Sequence, residues 1–437
     1  MTKYFKSPEG LPSQLHLWDP LSTQTAIMET KKVEIYPNNS LDSSDTVSFT
    51  IPAMQYYMLE KVQIVTELRV LTENGENPPK GANVSTAPHL AASLWRNVEV
   101  DSGGVSITQS FDNSYSMFKF WDDVIHYNND SHPLMKLKEG LNLDSVGGKH
   151  DSEDLSFFPP KPDQDTPAPE PKNRSGQERA IMIEEGKTVY LVSEFNTPLF
   201  KQGKLLPTGM QFNVKLTKNF PGSILLAEET NDYLVHFDKV ALRCTYQRPA
   251  DPILNILEER LSKENAIYHA DRKVMYVRPV PRSRTIEVDN LFNGPLPYFF
   301  LVGVQDRRAL GKARSKNQFS LHMVKRAQLY INGQEHFARD LQMSDYLETN
   351  MMTEFVEQTG SKGDSFVVHH FRVYPVVAFD LTQDKSQNQN GLNLGRHGNV
   401  RIALETLKEP EEDQVLVVLA WYDQVIEISK DRQLHLI

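Results

Sequence analysis

What the chain lacks sets the first limits. Cys244 is its only cysteine, so no intrachain disulfide can form and a cysteine zinc cluster is excluded. That usage fits synthesis in a reducing compartment, cytosol or nucleus. No apolar run approaches the roughly 18 residues that span a bilayer, so no membrane span is expected. The opening residues, MTKYFKSPEG, are followed by polar ones and lack the apolar region of a signal peptide. Positive charge is short as well: 47 Lys and Arg against 57 Asp and Glu give a net charge of -10. Phosphate contacts need a basic footprint, so coating or sequence-specific reading of nucleic acid is not expected.

Catalytic signatures are equally scarce. The stretch LFNGPLPYFFLVGVQDRRALGK (Leu291–Lys312) ends in the Gly-Lys pair of a phosphate loop. A Walker A loop also needs a glycine at 306, which is Asp306, and Ser or Thr after the lysine, which is Ala313. The nucleotide reading fails, and YFFLVGV reads as a fully buried strand entered through a Gly-Pro turn. The basic loop that follows, Gln305–Gln318, reads as solvated. His369 and His370 are adjacent, so on a strand they point to opposite faces and cannot share a metal. His126, Asp130 and His132 form a weak polar cluster, read as surface residues. Ser106 and Ser365 follow no Gly-x-Ser-x-Gly elbow. Asp151–Leu155 lacks the calcium-loop pattern. Asn38, Asn83, Asn129 and Asn173 open Asn-x-Ser sequons, read as chance matches. No catalytic, cofactor-binding or metal-ligating residue is expected, and the chain is not expected to be an enzyme.

What the chain has is strands. Val47, Phe49 and Ile51 alternate with polar residues, as do Val62, Ile64, Leu68 and Val70; period two marks a half-buried strand. Leu94–Ile107 reads as a hairpin with Gly103-Gly104 at its tip. Further strands are expected at Thr188–Ser193, Gln211–Thr217, Lys273–Val277, Thr285–Val288, Tyr298–Val304, Gln328–Ile331, Phe366–Val373 and Val400–Glu405. Two closing pairs of strands are expected, Tyr233–Phe237 with Val240–Tyr246, and Val415–Trp421 with Gln424–Ile428. Helices are few. One runs Ser114–Tyr127. A second follows Asp251-Pro252 and carries Ile253, Ile256, Leu257 and Leu261 on one face. A third starts near Asp345, carries Leu347, Met351 and Phe355, and stops at Gly360. Six prolines in the thirteen residues Pro159–Pro171 mark an exposed, semi-rigid loop.

The order of elements repeats. A hairpin near 98–107 precedes an aromatic-rich helix; a hairpin at Asn332-Gly333 precedes the helix near Asp345. Thr208–Lys218 then parallels His397–Lys408, and each half ends on its closing strands. A chain of 437 residues exceeds the roughly 250–300 that one core supports. Two copies of one β domain, each the size of a jelly roll, account for the pattern; two unrelated sandwiches with a vague likeness are the alternative.

Several segments carry a resemblance in order along the chain. They are Thr23–Pro37, Pro198–Asn219, the Phe-x-Gly-x-x-Pro turn at Phe292, Gly294 and Pro297, then Ala378–Glu405 and Tyr422–Leu436. Together they resemble the double jelly-roll major capsid proteins of the Polinton/Maverick–adintovirus type, distantly related to adenovirus hexon. The resemblance covers most of the chain from about residue 20 and is firmest from Arg284 onward. It implies an all-β chain of two consecutive jelly-roll β-sandwiches with a few short helices. The implied organisation is an N-terminal arm at 1–22, a first jelly roll at 23–250 with its proline-rich loop at about 147–180, a connecting helix at 251–270 and a second jelly roll at 271–437. It also implies a structural role: a homotrimer of pseudo-hexagonal outline, contacting neighbouring capsomers, penton and minor capsid proteins. Such trimers tile an icosahedral shell around double-stranded DNA, made in the cytosol and assembled in the nucleus. An intracellular carbohydrate-binding sandwich, a jelly-roll carbohydrate enzyme, and a vertex or minor capsid protein are the competing readings.

Overall fold

The computed structural model describes residues 23–437 except 55–56, 109–113, 127–131, 145–172, 202, 228–232, 311–315, 342–348, 361–373, 389–390 and 411. The expected N-terminal arm, the proline-rich loop up to residue 172, the strand at 366–373 and the start of the helix near Asp345 therefore lie outside the described residues, as do Asp151–Leu155, Ser365, His369 and His370; residues 174–180, expected in that loop, are instead part of a helix with Gly176, Arg179 and Ala180 buried.

In the first half the strands are β1 (Ile27–Ile35), β2 (Thr46–Ile51), β3 (Tyr57–Thr72), β4 (Val84–Thr86), β5 (Trp95–Ser102), β6 (Val105–Ser106), β7 (Val189–Glu194), β8 (Phe212–Lys218), β9 (Leu225–Ala227) and β10 (Tyr233–Pro249). The second half holds β11 (Ala266–Val280), β12 (Thr285–Pro295), β13 (Phe299–Asp306), β14 (Val324–Ile331), β15 (Gln334–Asp340), β16 (Val377–Asp380), β17 (His397–Thr406), β18 (Gln414–Ile428) and β19 (Leu434–Leu436). Among the described residues seven α-helices accompany them: α1 (Leu90–Ser93), α2 (Ser114–His126), α3 (His132–Glu139), α4 (Arg174–Ile183), α5 (Pro221–Ile224), α6 (Asp251–Lys263) and α7 (Thr349–Thr359).

The strand order makes the duplication explicit. One sheet of the first half runs β1-β10-β3-β7 and the other β2-β8-β5-β6. In the second half the sheets run β11-β18-β13-β16 and β12-β17-β14-β15. Aligning β1 with β11, β2 with β12, β3 with β13, β5 with β14, β6 with β15, β7 with β16, β8 with β17 and β10 with β18 maps both sheets onto each other without exception. Two four-stranded antiparallel arrays in this order form a jelly roll, and the order occurs twice; in the second half β19 adds a fifth strand beside β18. The short β4-β9 pair has no counterpart among the described strands of the second half.

Local chemistry explains the elements. Val47, Phe49 and Ile51 are buried while their neighbours are half-exposed, as period two requires. Both hairpins turn on residues with positive φ, Gly103 and Gly104 (60° and 83°) and Asn332 and Gly333 (52° and 79°), as a two-residue primed turn demands. β13 lies between β18 and β16 with seven of its eight residues buried, which is why it is apolar from Phe299 to Val304. Its Gly303 is required by contact: a Cβ there would sit 2.6 Å from the Leu321 side chain.

Two expectations are corrected. The closing pairs are not pairs; each is one long strand, β10 and β18. In β10 the polar Asp238-Lys239 reads as a turn, but the register shift between Phe237 and Lys239 absorbs the extra residue as a bulge. In β18 the ladder with β11 continues unbroken through Tyr422 and Asp423. The second correction concerns α6. Of its expected apolar face only Leu261 is buried, while Ile256 and Leu257 are 63% and 38% exposed. The helix begins at Asp251 behind Ala250, ends at Lys263, and β11 follows from Ala266. No helix among the described residues is long and apolar enough to cross a membrane.

Candidate functional site

The two halves meet around α2, where the chemistry of the molecule concentrates. Helix α2 follows the β5-β6 hairpin, and its side chains from Ser114 to Ile125 are buried. Phe120 stacks on Phe319 of the second half at 4.1 Å and 7°, and Phe118 meets Trp421 edge-on at 5.0 Å. Met117, Phe118, Phe120, Trp121, Val124 and Ile125 thus belong to the second half's hydrophobic core. The exchange runs the other way too: Tyr268, Ala270, Ile426, Ile428 and Leu434 pack into the first half's core.

A helix buried on every side must pair its charges, since an isolated buried ion is very costly. Lys119 Nζ lies 2.7 Å from Asp123 and 2.6 Å from Glu139 at the end of α3. His89, the N-cap of α1, reaches Asp123 at 2.7 Å. Burial pulls the Lys119 ammonium down, but the Asp123 and Glu139 charges outweigh it and hold it well above its ordinary range. Burial also raises Glu139, with the Asp123 charge adding to the shift and Lys119 opposing it. His89, Asp123 and Glu139 bring ligand atoms within 4.8 Å of one another, as a metal site would. The Lys119 ammonium stands between Asp123 and Glu139, in the place a metal ion would take.

Two further networks cross between the halves. Lys273 on β11 pairs with Asp122 on α2 and donates to Asn196 Oδ1 at 2.8 Å; Asn196 donates back to Asp122 at 2.8 Å. Asp144 accepts from Arg179 of α4, from Asn173 at 2.8 Å, and from Tyr374 Oη at 2.5 Å and Asn317 at 3.4 Å in the second half. Burial raises the Tyr374 phenol well above its usual range, and the adjacent Asp144 charge raises it further. Arg179 also donates to the carbonyls of Thr86 and Asn142, so every arm of its guanidinium is used. Buried pairs with this degree of hydrogen bonding favour one arrangement of the elements they join; of these side chains, Asn196 and Lys273 also line a small cleft beside Ser114 and Arg272.

The residues weighed in the sequence fall as follows. Asp306, where a phosphate loop needs glycine, ends β13 and pairs with His322 at 2.8 Å and Lys316 at 3.1 Å; Gly311 and Lys312 lie outside the described residues. His126 and His132 lie on α2 and α3, and Asp130 lies outside the described residues. Ser106 donates to the Thr108 carbonyl within its hairpin. Asn173 is buried, caps α4 through Gly176 N and donates to Asp144, so its sequon has a structural use. Trp95 and Trp121 are buried, not displayed as a sugar platform. One carboxylate pair does face across a sheet: Asp271 and Asp423 are direct partners of β11 and β18. Both are exposed, and burial together with the Asp271 charge raises Asp423.

Sequence reasoning missed the buried charges of α2. Lys119, Asp122 and Asp123 look like a solvated helix face, and partners such as Lys273 stand 151 residues away, beyond any local signal.

No family model matches the chain, and no curated protein matches it by sequence. Solved structures do match over nearly the whole length. The PBCV-1 protein Vp54, fitted into a reconstruction of the virophage Sputnik, is 12% identical with a TM-score of 0.59, covering 96% of this chain and 98% of that one. The structure of the Sputnik virophage gives 10% identity and a TM-score of 0.63, covering 98% and 92%. The mavirus major capsid protein gives 10% identity and a TM-score of 0.56, covering 100% and 96%. At such identities the likeness establishes architecture, and with the repeated strand order it makes the chain a double jelly roll.

Proposed function

We propose that this chain is a viral major capsid protein of the Polinton/Maverick–adintovirus type. Three copies form a pseudo-hexagonal capsomer, and capsomers contact one another, penton and minor capsid proteins to tile an icosahedral shell around double-stranded DNA in the virion. Assembly in the host nucleus belongs to the same reading. So does the organisation into an arm at 1–22, jelly rolls at 23–250 and 271–437, and a connecting segment between them. The chain is structural and carries out no catalysis.

One observation carries the proposal: over nearly its whole length the chain is similar in fold to the mavirus major capsid protein and to a chain of the Sputnik virophage. The interior supports it. Two of its three charge networks, at Lys273 and at Asp144, join the two halves, as a two-barrel tile requires. A sheet-borne sugar site is disfavoured by the burial of Trp95 and Trp121. The test is the solution mass by light scattering, followed by negative-stain imaging of that peak. The expected species is near 150 kDa, three times 49.9 kDa, with hexagonal outline. A clean monomer at high concentration would overturn the capsomer reading.

A further inference from the structure

The junction between the two halves is built from elements that occur twice. In the first half the loop at 195–211 joins β7 to β8 and rests on the start of β11. Lys204 Nζ donates to the Ile267 carbonyl at 2.9 Å, and Tyr268 Oη donates to the Leu205 carbonyl at 2.7 Å. The segment after β18 holds the same loop: Arg432 Nε donates to the Thr208 carbonyl at 2.7 Å. Leu206, between these contacts, is fully buried.

Each part of this junction has a counterpart. Because β7, β8 and β11 correspond to β16, β17 and β1, the loop at 381–396 corresponds to the one at 195–211, and the start of β1 to the start of β11. Ile27 lies beside Pro249 at the end of β10, as Ile267 lies beside Glu427 at the end of β18. The segment after β10 is α6, which begins where Ala250 N donates to Ala26 O at 2.8 Å. Leu205 and Leu206 of the first loop are matched by Leu392 and Leu394 in the second.

These counterparts stay uncovered within one chain. Leu392 and Leu394 are 55% and 84% exposed, Met28 of β1 is 68% exposed, and Ile256 of α6 is 63% exposed. Among the described strands β1 is also a sheet edge, paired with β10 alone, which leaves its other side open to a neighbour. Single exposed apolar residues need no explanation, but these fall at the two places where the internal junction has its own apolar and backbone contacts. The second loop lacks a β11 to rest on, and β1 lacks a loop to cover it.

We propose that a second copy of this chain supplies the missing neighbour. Its loop at 391–396 seats Leu392 and Leu394 against Met28 and Ile256 of the first copy, and so repeats between chains the junction that 203–209 makes with β11 inside one. The contact joins two unlike surfaces, so it is head to tail and builds either a closed ring or an open array. The inference deepens the capsomer reading, and rests on it only for closure at three copies.

Cross-linking tests it. The full chain carrying Met28→Cys and Leu394→Cys is treated with a short bismaleimide; the native Cys244 is buried and does not compete. Leu394→Cys with Lys215→Cys, exposed on β8 in the other sheet, is the control. The expected result is chains joined to one another through positions 28 and 394, identified by peptide mass, at least tenfold faster than in the control. Light scattering before labelling keeps the two readings apart. An assembled trimer whose 28–394 linkage is no faster than the control, or a link within one chain, overturns this contact and leaves the capsomer standing. Linked dimers or open arrays without a trimer support the contact and overturn closure at three. A clean monomer overturns both. A second measurement needs no cross-link. Leu394→Asp changes an exposed side chain, so the far-UV signal should be kept, but it puts a charge into an apolar contact and should weaken association at least tenfold. Unchanged assembly of that variant would also overturn the proposal.

Discussion

Lys119→Met removes the ammonium that bridges Asp123 and Glu139 while keeping the length and apolar stem of the side chain. Taking one partner from a buried ion pair costs about 3–5 kcal/mol, because the remaining charge stays buried without compensation. Here one cation serves two carboxylates, both fully enclosed, so the upper part of that range is expected. The double variant Lys119→Met, Glu139→Gln removes one orphaned charge and should recover roughly half of the loss, a coupling of about 2 kcal/mol. The sign with pH follows from Glu139, whose folded pKa is already raised by burial. A carboxylate raised on folding contributes stability below its unfolded pKa and loses it as pH rises through the folded value. Without Lys119 that upward shift grows. The penalty of Lys119→Met should therefore be largest near neutral pH and shrink as the solution is acidified toward the ordinary carboxylate range. Urea unfolding read by tryptophan emission is the assay, since Trp121 lies on the same helix. A loss below about 1 kcal/mol, the scale of an exposed pair, or one that is flat with pH, would refute the account of a charge-locked helix.

Other substitutions probe other parts. Although burial pushes Asp306 up, His322 and Lys316 outweigh it and hold the carboxyl below its usual range, so its stabilisation is present above the unfolded pKa and lost as pH falls through the folded one. Asp306→Asn should cost about 1–3 kcal/mol at pH 7, and thermal melts of variant and parent should converge in strong acid. Asp423→Asn relieves a like-charge pair directly across β11 and β18, and should stabilise the chain at pH 7 by about 0.2–1 kcal/mol; a destabilised variant would show that the pair is not repulsive. Burial pushes the Cys244 thiol up to about 12, so iodoacetamide should label it only on unfolding. Prompt labelling of the native chain would contradict the buried placement of β10.

Much of the fold was readable because each jelly-roll strand announces itself locally. The alternation of β2 and β3, the Gly-Gly and Asn-Gly tips and the apolar run of β13 are each set by near neighbours. The repeat could be read in the order of elements even though the residues differ. Continuity of β10 was hidden because Asp238-Lys239 has the composition of a turn, and only the pairing of Arg69 with Asp238 across the sheet shows it held as a bulge. The apolar stripe of α6 is present in the sequence, but periodicity alone cannot say whether anything covers it. Least readable were the charge networks of α2. A lysine four residues from an aspartate, as Lys119 is from Asp123, looks the same on a solvated helix as on a buried one, and the partners that decide the matter lie on α3, β11 and the loop at Asn196.

The exchange of side chains between the two cores bears on the history of such a chain. A freshly duplicated jelly roll consists of two self-sufficient units, either of which can be lost. Once α2 fills its neighbour's core, and the ends of β11 and β18 fill the other, each unit alone exposes a hole shaped like its twin. Deletion of either half then removes part of both, so selection retains the pair as one heritable and cooperatively folding object. Packing alone would then make such a duplication hard to reverse, since each core is completed by side chains of the other half.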